Sequence, residues 1–250
     1  MTAHTPRFNH KVALVTGGSR GIGEAIVRRL SAEGAAVAFT YSSSADKAQA
    51  LVGLIESKGG KALAIQADSA DVAAIERAVA ATVEHFGALN ILVNNAGILL
   101  MGTVDTFSLE DFDRMFAVNV RATFSAAKAS SAVMHTGDRI ITVGSVVAQR
   151  SGFPGSSVYS MTKSAIAGMI RGLAIDFAPR GITVNNVQPG PTSTDMNPAD
   201  GPHADMIKSL IPLGRVGTAD DVAGMVAYLA SEDAAFVTGA SMTIDGGYLA

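Results

Sequence analysis

Short β-branched runs alternate with amphipathic stretches from one end of this chain to the other, and that alternation allows few folds. Strand candidates fall at Val12 to Thr16, Ala36 to Tyr41, Lys61 to Ala67, Leu89 to Val93, Arg139 to Gly144, Ile182 to Gln188 and Ser241 to Ile244. Helical periodicity fills the intervals, at Ile22 to Glu33, Ala45 to Ser57, Val72 to Phe86, Leu109 to His135, Val158 to Ala178 and Ala219 to Ser231. An unbroken series of strand, helix and strand needs right-handed crossovers. The expectation is therefore an α/β fold: a Rossmann-like, doubly wound parallel sheet of about seven strands with helices on both faces. A hydrophobic content of 48% suits strands covered on both sides.

No linker or internal repeat divides the 250 residues, so one domain over 1–250 is expected. One insertion, 189–217, places Pro191, Pro198, Pro202 and Pro212 around a short apolar helix, Met206 to Ile211. It follows the carboxyl end of a strand, where open α/β sheets bind ligands, and reads either as a substrate-side lid or as a surface loop with a packing helix. Nineteen basic against 22 acidic residues give a net charge of −3, with no basic stripe to track a nucleic acid, so no DNA partner is expected. The absence of cysteine excludes disulfides and thiolate chemistry. No apolar run is long enough to span a bilayer, and residues 1–10 lack the apolar block of a secretory signal, so a cytoplasmic protein with no membrane partner is expected. His85, His135 and His203 are not spaced as metal ligands, read as surface residues, and no metal is expected.

The first strand runs into Thr16-Gly17-Gly18-Ser19-Arg20-Gly21-Ile22-Gly23 and then a helix. Glycines at 17, 21 and 23 let backbone N–H groups approach a pyrophosphate at the positive helix end. The spacing is GxxxGxG, not the general GxGxxG dinucleotide pattern, and it is the position after the first strand that makes a nucleotide-binding reading stronger than a plain turn. About twenty residues on, where an NAD site would hold a carboxylate for the ribose, stands Tyr41-Ser42-Ser43-Ser44. With no acid there, and with Arg20 in the loop, Ser42 and Ser43 can receive a 2′-phosphate, so NADP(H) is the expected cofactor. Ser44 reads as the N-cap of the second helix.

Tyr159 and Lys163 stand four residues apart, hence on one face of a helix. A neighbouring ammonium favours phenolate, so Lys163 is expected to bring the Tyr159 pKa down toward a value useful for proton transfer. Ser145 directly follows the fifth strand and can donate to a substrate oxygen; Asn94-Asn95-Ala96-Gly97 ends the fourth. Asn119 lies within the apolar stretch Met115 to Val120, where an amide is costly unless hydrogen-bonded, and so predicts a buried polar network.

With these motifs the chain resembles the short-chain dehydrogenase/reductase family, in its 3-oxoacyl-carrier-protein-reductase-like branch, over essentially everything from Lys11 to Tyr248. The resemblance implies a catalytic tetrad. Tyr159 is then the general acid in reduction and base in oxidation, Ser145 holds the substrate oxygen, Lys163 tunes Tyr159 and grips the nicotinamide ribose, and Asn119 anchors a water relay. Hydride passes from the reduced nicotinamide to a carbonyl carbon. It also implies cofactor contacts from Gly17, Ser19, Arg20, Gly21, Ile22 and Gly23, from Tyr41, Ser42 and Ser43, from Asp68 and Ser69 at adenine, and from Asn95, Ala96 and Gly97 on the adenosine-ribose side. Tyr159 and Lys163, then Pro189 and Gly190, and Thr192 with Thr194 at the carboxamide, complete that set.

Pro191-Thr192 departs from the branch, where an aromatic-aliphatic pair is common. Leu99, Leu100, Val146, Val147, Phe153, Met196 and Met206 are candidates to line an apolar pocket for a carbonyl or alcohol substrate, or else are ordinary core. Segment 188–202 also resembles a bacterial subgroup of biofilm-dispersal mediators that bind cyclic di-GMP, which makes a cyclic-di-GMP-binding regulator the alternative reading, with Arg150 and the Asp195 to Asp205 stretch as places for such specificity. Family members are commonly homo-oligomers, tetramers or dimers, and Tyr248-Leu249-Ala250 suits burial in such an interface or a frayed end.

Overall fold

The computed structural model describes residues 6–194 and 204–250. Seven strands form one all-parallel sheet in the order β3-β2-β1-β4-β5-β6-β7. The elements run β1 (Val12–Val15), α1 (Gly21–Ala32), β2 (Ala36–Tyr41), α2 (Ala45–Glu56), β3 (Lys61–Gln66), α3 (Val72–Phe86) and β4 (Ile91–Asn94). Next come α4 (Leu109–Phe116), α5 (Ala122–Ser130), β5 (Arg139–Val143), α6 (Ser157–Phe177), β6 (Thr183–Pro189), α7 (Ala204–Ser209), α8 (Ala219–Ala230) and β7 (Ser241–Ile244). The Rossmann-like architecture expected from the alternation is the one found.

Strand sequence explains the layering. β1 reads Val-Ala-Leu-Val and is buried along its whole length, as a strand covered on both faces must be. Successive side chains alternate: Ala13 and Val15 enter the apolar cluster with Ile26 and Leu30 of α1 and Val222 and Val226 of α8, whereas Leu14 enters the opposite cluster with Ile75 of α3 and Ile166 and Ile170 of α6. Helix starts are set by side chains. Asp71 accepts the Ala73 N–H at 2.9 Å ahead of α3, and Ser108 accepts the Asp111 N–H at 3.0 Å ahead of α4. Thr218 and Asp221 form a reciprocal capping box on α8.

Three expectations shift. The helical stretch Leu109 to His135 is interrupted: α4 and α5 are joined by a π turn, Ala117–Arg121, and α5 ends at Ser130. The π turn carries Asn119, whose buried amide bonds the Ile98 backbone in a neighbouring loop, and π turns recur at functional sites. The short apolar helix expected at Met206 to Ile211 is α7, Ala204–Ser209. Ser44 occupies the N-cap position of α2, but its side chain makes no capping bond.

The reversal of strand order between β1 and β4 opens a crevice at the carboxyl edge of the sheet. Segment 189–217 leaves from the end of β6 and returns through a closed neck. There the Ser193 N–H donates to Gly217 O at 2.8 Å, and the Gly217 N–H to Pro191 O at 2.9 Å.

Candidate active site

Every described residue expected to act stands at that carboxyl edge. The glycine loop follows β1; Tyr41 ends β2, with Ser42 and Ser43 exposed beyond it; Asp68 and Ser69 follow β3; and Asn95, Ala96 and Gly97 follow β4. Ser145 follows β5, and Pro189 ends β6 ahead of Gly190, Thr192 and Thr194.

The loop is packed too tightly for side chains. A Cβ on Gly23 would lie 2.2 Å from Gly17 O, and one on Gly17, whose φ is +64°, 3.0 Å from Ala96 Cα. Thr16 and Asn95 lock it in place. Thr16 Oγ1 accepts the N–H groups of Asn95 and Ala96 at 3.0 and 3.1 Å, and Asn95 Nδ2 donates to the carbonyls of Thr16 and Gly17, both at 3.0 Å. The Asn95 amide is thus engaged in shaping the loop. Arg20 occupies the N-cap of α1 in an extended conformation; its carbonyl accepts the Glu24 N–H at 3.1 Å, while its side chain makes no capping bond and is exposed at the crevice mouth. Thr194 faces the loop across the crevice: its Cγ2 lies 3.7 Å from where a Gly21 Cβ would stand.

The reactive side chains converge from α6, β5 and the π turn. Ser145 is hydrogen-bonded to the partly exposed Tyr159, whose ring centroid lies 5.7 Å from Lys163 Nζ. Lys163 is buried and donates to Val143 O at 3.1 Å, so the ammonium is aimed by the last residue of β5. Asn119 is 2% exposed and fully engaged: its Oδ1 accepts the Ile98 N–H at 2.8 Å, and its Nδ2 donates to Ile98 O at 3.0 Å and to Thr162 Oγ1 at 3.1 Å. That is the buried polar network expected of an amide in an apolar stretch. Gly97 leaves a gap between these groups, its missing Cβ lying 3.4 Å from Asn119 Oδ1 and 3.6 Å from Lys163 Nζ.

The electrostatics reverse one expectation. Burial pushes the Tyr159 phenol up to about 12, against a smaller lowering by the Ser145 hydrogen bond, and pushes the Lys163 amine down to about 8. Desolvation penalises both charged forms and outweighs the help that an ammonium gives a phenolate. The phenol is therefore held protonated at neutral pH, the state an acid needs.

Sequence reasoning missed the supports of α6. Ser160 Oγ donates to Val147 O at 2.6 Å, Ser164 Oγ to Ala148 O at 3.1 Å, and Thr162 Oγ1 to Tyr159 O at 2.8 Å. The hydroxyl-rich run Ser160, Thr162 and Ser164 in an otherwise apolar helix was the available signal. Of the apolar candidates, Val146 and Val147 are buried core, whereas Leu99, Phe153 and Met206 are exposed and Leu100 is partly so. Met196 and His203 lie outside the described residues, while His85 and His135 are exposed. No cluster able to hold a metal ion occurs among the described residues. A cavity of about 730 Å³ lies at the opposite edge of the sheet, lined by Lys11, Lys58 and Lys61 among others, and the tetrad takes no part in it.

A family model described as enoyl-(acyl carrier protein) reductase matches residues 17–249. The chain belongs to the short-chain dehydrogenase/reductase family. Its Escherichia coli K12 relative, the cyclic-di-GMP-binding biofilm dispersal mediator protein, is 48% identical over 96% of this chain and 98% of its own. Elsinochrome reductase 1 of Elsinoe fawcettii is 40% identical over 97% and 96%. A short-chain dehydrogenase of Burkholderia cenocepacia J2315 in complex with NADP superposes with a TM-score of 0.96 at 51% identity, covering 98% of this chain and all of that one. As a short-chain dehydrogenase/reductase with reductases among its relatives, the chain is an oxidoreductase.

Proposed function

We propose that this protein is an NADPH-dependent carbonyl reductase, acting on ketones or 3-oxoacyl groups, with Tyr159 as the general acid. The observation that carries this reading is the Ser145 hydroxyl bonded to a protonated, partly exposed phenol, with a buried ammonium one helical turn away.

The residues fit a phosphorylated dinucleotide. The loop after β1 excludes side chains, β2 ends without an acid at Tyr41, and Arg20, Ser42 and Ser43 stand exposed where a 2′-phosphate would lie. NADP(H) is the cofactor, as in the Burkholderia enzyme. When bound, it supplies the hydride. Ser145 and Tyr159 both aim hydroxyls at one substrate oxygen, and Tyr159 gives that oxygen its proton as the C=O bond becomes C–OH. Lys163, held by Val143 O, supplies positive charge beside the phenolate left behind and a donor for the ribose. Asn119 fixes Ile98 and Thr162 around them, and Gly190, Thr192 and Thr194 offer polar groups on the carboxamide side. Asp68 and Ser69 frame adenine, with Asn95, Ala96 and Gly97 beside the ribose. The working unit is a single domain over 1–250, a cytoplasmic homo-oligomer; no helix among the described residues is long and apolar enough to cross a membrane.

NADPH oxidation measured against a panel of ketones and 3-oxoacyl thioesters tests the reading. Turnover that Tyr159→Phe abolishes is expected; equal rates in the two proteins would remove the assignment. The name of the E. coli relative supports a second reading, a cyclic-di-GMP-binding regulator. Arg150, one residue considered for that specificity, is occupied with Tyr248, and most of the Asp195 to Asp205 stretch lies outside the described residues. Calorimetric cyclic di-GMP binding without any carbonyl turnover would favour the regulator.

A further inference from the structure

Residues 245–250 touch two segments that flank the crevice. Asp245 folds this stretch back on itself, its carboxylate accepting the N–H groups of Gly247 and Leu249, both at 2.9 Å. On one side the stretch meets the residues that follow α7. The Leu213 N–H donates to Gly246 O at 3.1 Å, and a Cβ on Gly247 would stand 2.9 Å from Pro212 Cγ. On the other side it meets the loop joining Ser145 to Tyr159. The Arg150 guanidinium lies 5.3 Å from the centroid of the Tyr248 ring and donates to Tyr248 O at 3.4 Å, while Tyr248 Oη is 2.8 Å from where a Gly152 Cβ would be.

The loop differs along its length. Its first part is fastened to α6 through Ser160 and Ser164, and its far end to Gly102, whose N–H donates to Gly155 O at 3.2 Å. Between these anchors, residues 150–154 include the exposed Phe153 and meet Tyr248. Arg150 is exposed and Tyr248 partly so, which makes the pair a poor support for the core but well placed to set the separation of two loops.

We propose that Tyr248 is a positioning residue for the carbonyl substrate: its side chain holds loop 150–154 against the 245–247 turn, whose Gly246 and Gly247 meet segment 211–213, and so fixes the width of the cleft between them. This rests on the reductase reading. Small displacements at such walls act on substrate placement and leave the distant nucleotide loop undisturbed.

Two measurements test it. Amide hydrogen exchange on the full chain reports the strap without needing turnover: Tyr248→Ala should speed exchange about tenfold in both 150–154 and 211–213 while the strands stay protected. Unchanged exchange, a change in one segment alone, or faster exchange throughout the sheet would each overturn the proposal. Kinetics then use an atomic suppressor. Gly152→Ala must displace the Tyr248 hydroxyl, so both Gly152→Ala and Tyr248→Ala should raise KM for a bulky ketone about fivefold, with kcat and the KM for NADPH within about twofold. Adding Tyr248→Phe to Gly152→Ala removes the clashing oxygen and should restore KM; failure to restore it contradicts the proposed contact. A wild-type protein without carbonyl turnover would defeat the reductase reading, while the exchange result would still decide the strap.

Discussion

The two sides of the crevice are built on opposite principles. The β1–β2 side is lined by backbone: glycines packed too closely for side chains, an amide side chain clamping two carbonyls, and polar side chains left exposed at the rim. The β5–α6 side is built of buried polar side chains, with Lys163, Asn119 and Thr162 withdrawn from water and each held by a partner. The difference matters because backbone binding tolerates little change in shape, whereas buried polar chemistry tolerates little change in solvation.

Breaking each side should therefore cost different things. Removing the proton donor gives the largest effect: Tyr159→Phe is expected to lower kcat for carbonyl reduction by about 10²–10⁴-fold with NADPH affinity retained, which stopped-flow and fluorescence titration would separate. Next comes shape. Gly23→Ala drives a Cβ into Gly17 O and should cost about 1–3 kcal/mol of stability together with most NADPH binding, while kcat at saturating cofactor changes less. If Gly23→Ala spared binding, the backbone account of that side would fail. Arg20→Ala tests the rim; loss of a charge-assisted contact should raise the Kd for NADPH about tenfold and leave that for NADH unaltered. Equal losses for both nucleotides would mean that Arg20 does not read the 2′-phosphate.

The mildest effect is the pH response of the buried side. Lys163 titrates near 8 in the folded protein against an ordinary 10.5, so its ammonium is present below pH 8 and is lost above it. Log kcat/KM for NADPH should bend downward near pH 8, a limb that Lys163→Met removes. The stability term has the opposite sign. Between about 8 and 10.5 the unfolded chain holds more protons at this amine, so the burial penalty is complete below that window and fades as pH rises.

The two sides also differed in how far the sequence revealed them. Alternating strand and helix patterns gave the sheet, and Tyr159 with Lys163 four residues later gave one helix face, because both follow local periodicity. The π turn at Ala117–Arg121 did not show, since an apolar run such as Met115 to Val120 reads as plain helix until the partner of its one amide is known. The direction of the Tyr159 pKa was misjudged for a related reason. Spacing placed an ammonium beside a phenol, but the depth of burial, which decides the sign, comes from β5 and from loops far away in sequence. Nor did the sequence show that the Asn95 amide holds the glycine loop, a partnership spanning 78 residues.

Deuterium tracing with an α,β-unsaturated ketone tests the central claim most directly, because it reports which atom the site activates. With NADPH deuterated at the transferable position, the hydroxyls of Ser145 and Tyr159 address an oxygen, so the label should appear on the carbon bearing the product hydroxyl and the C=C bond should survive. Label on the β-carbon, with the carbonyl intact, would contradict the account and make the protein a reducer of C=C bonds.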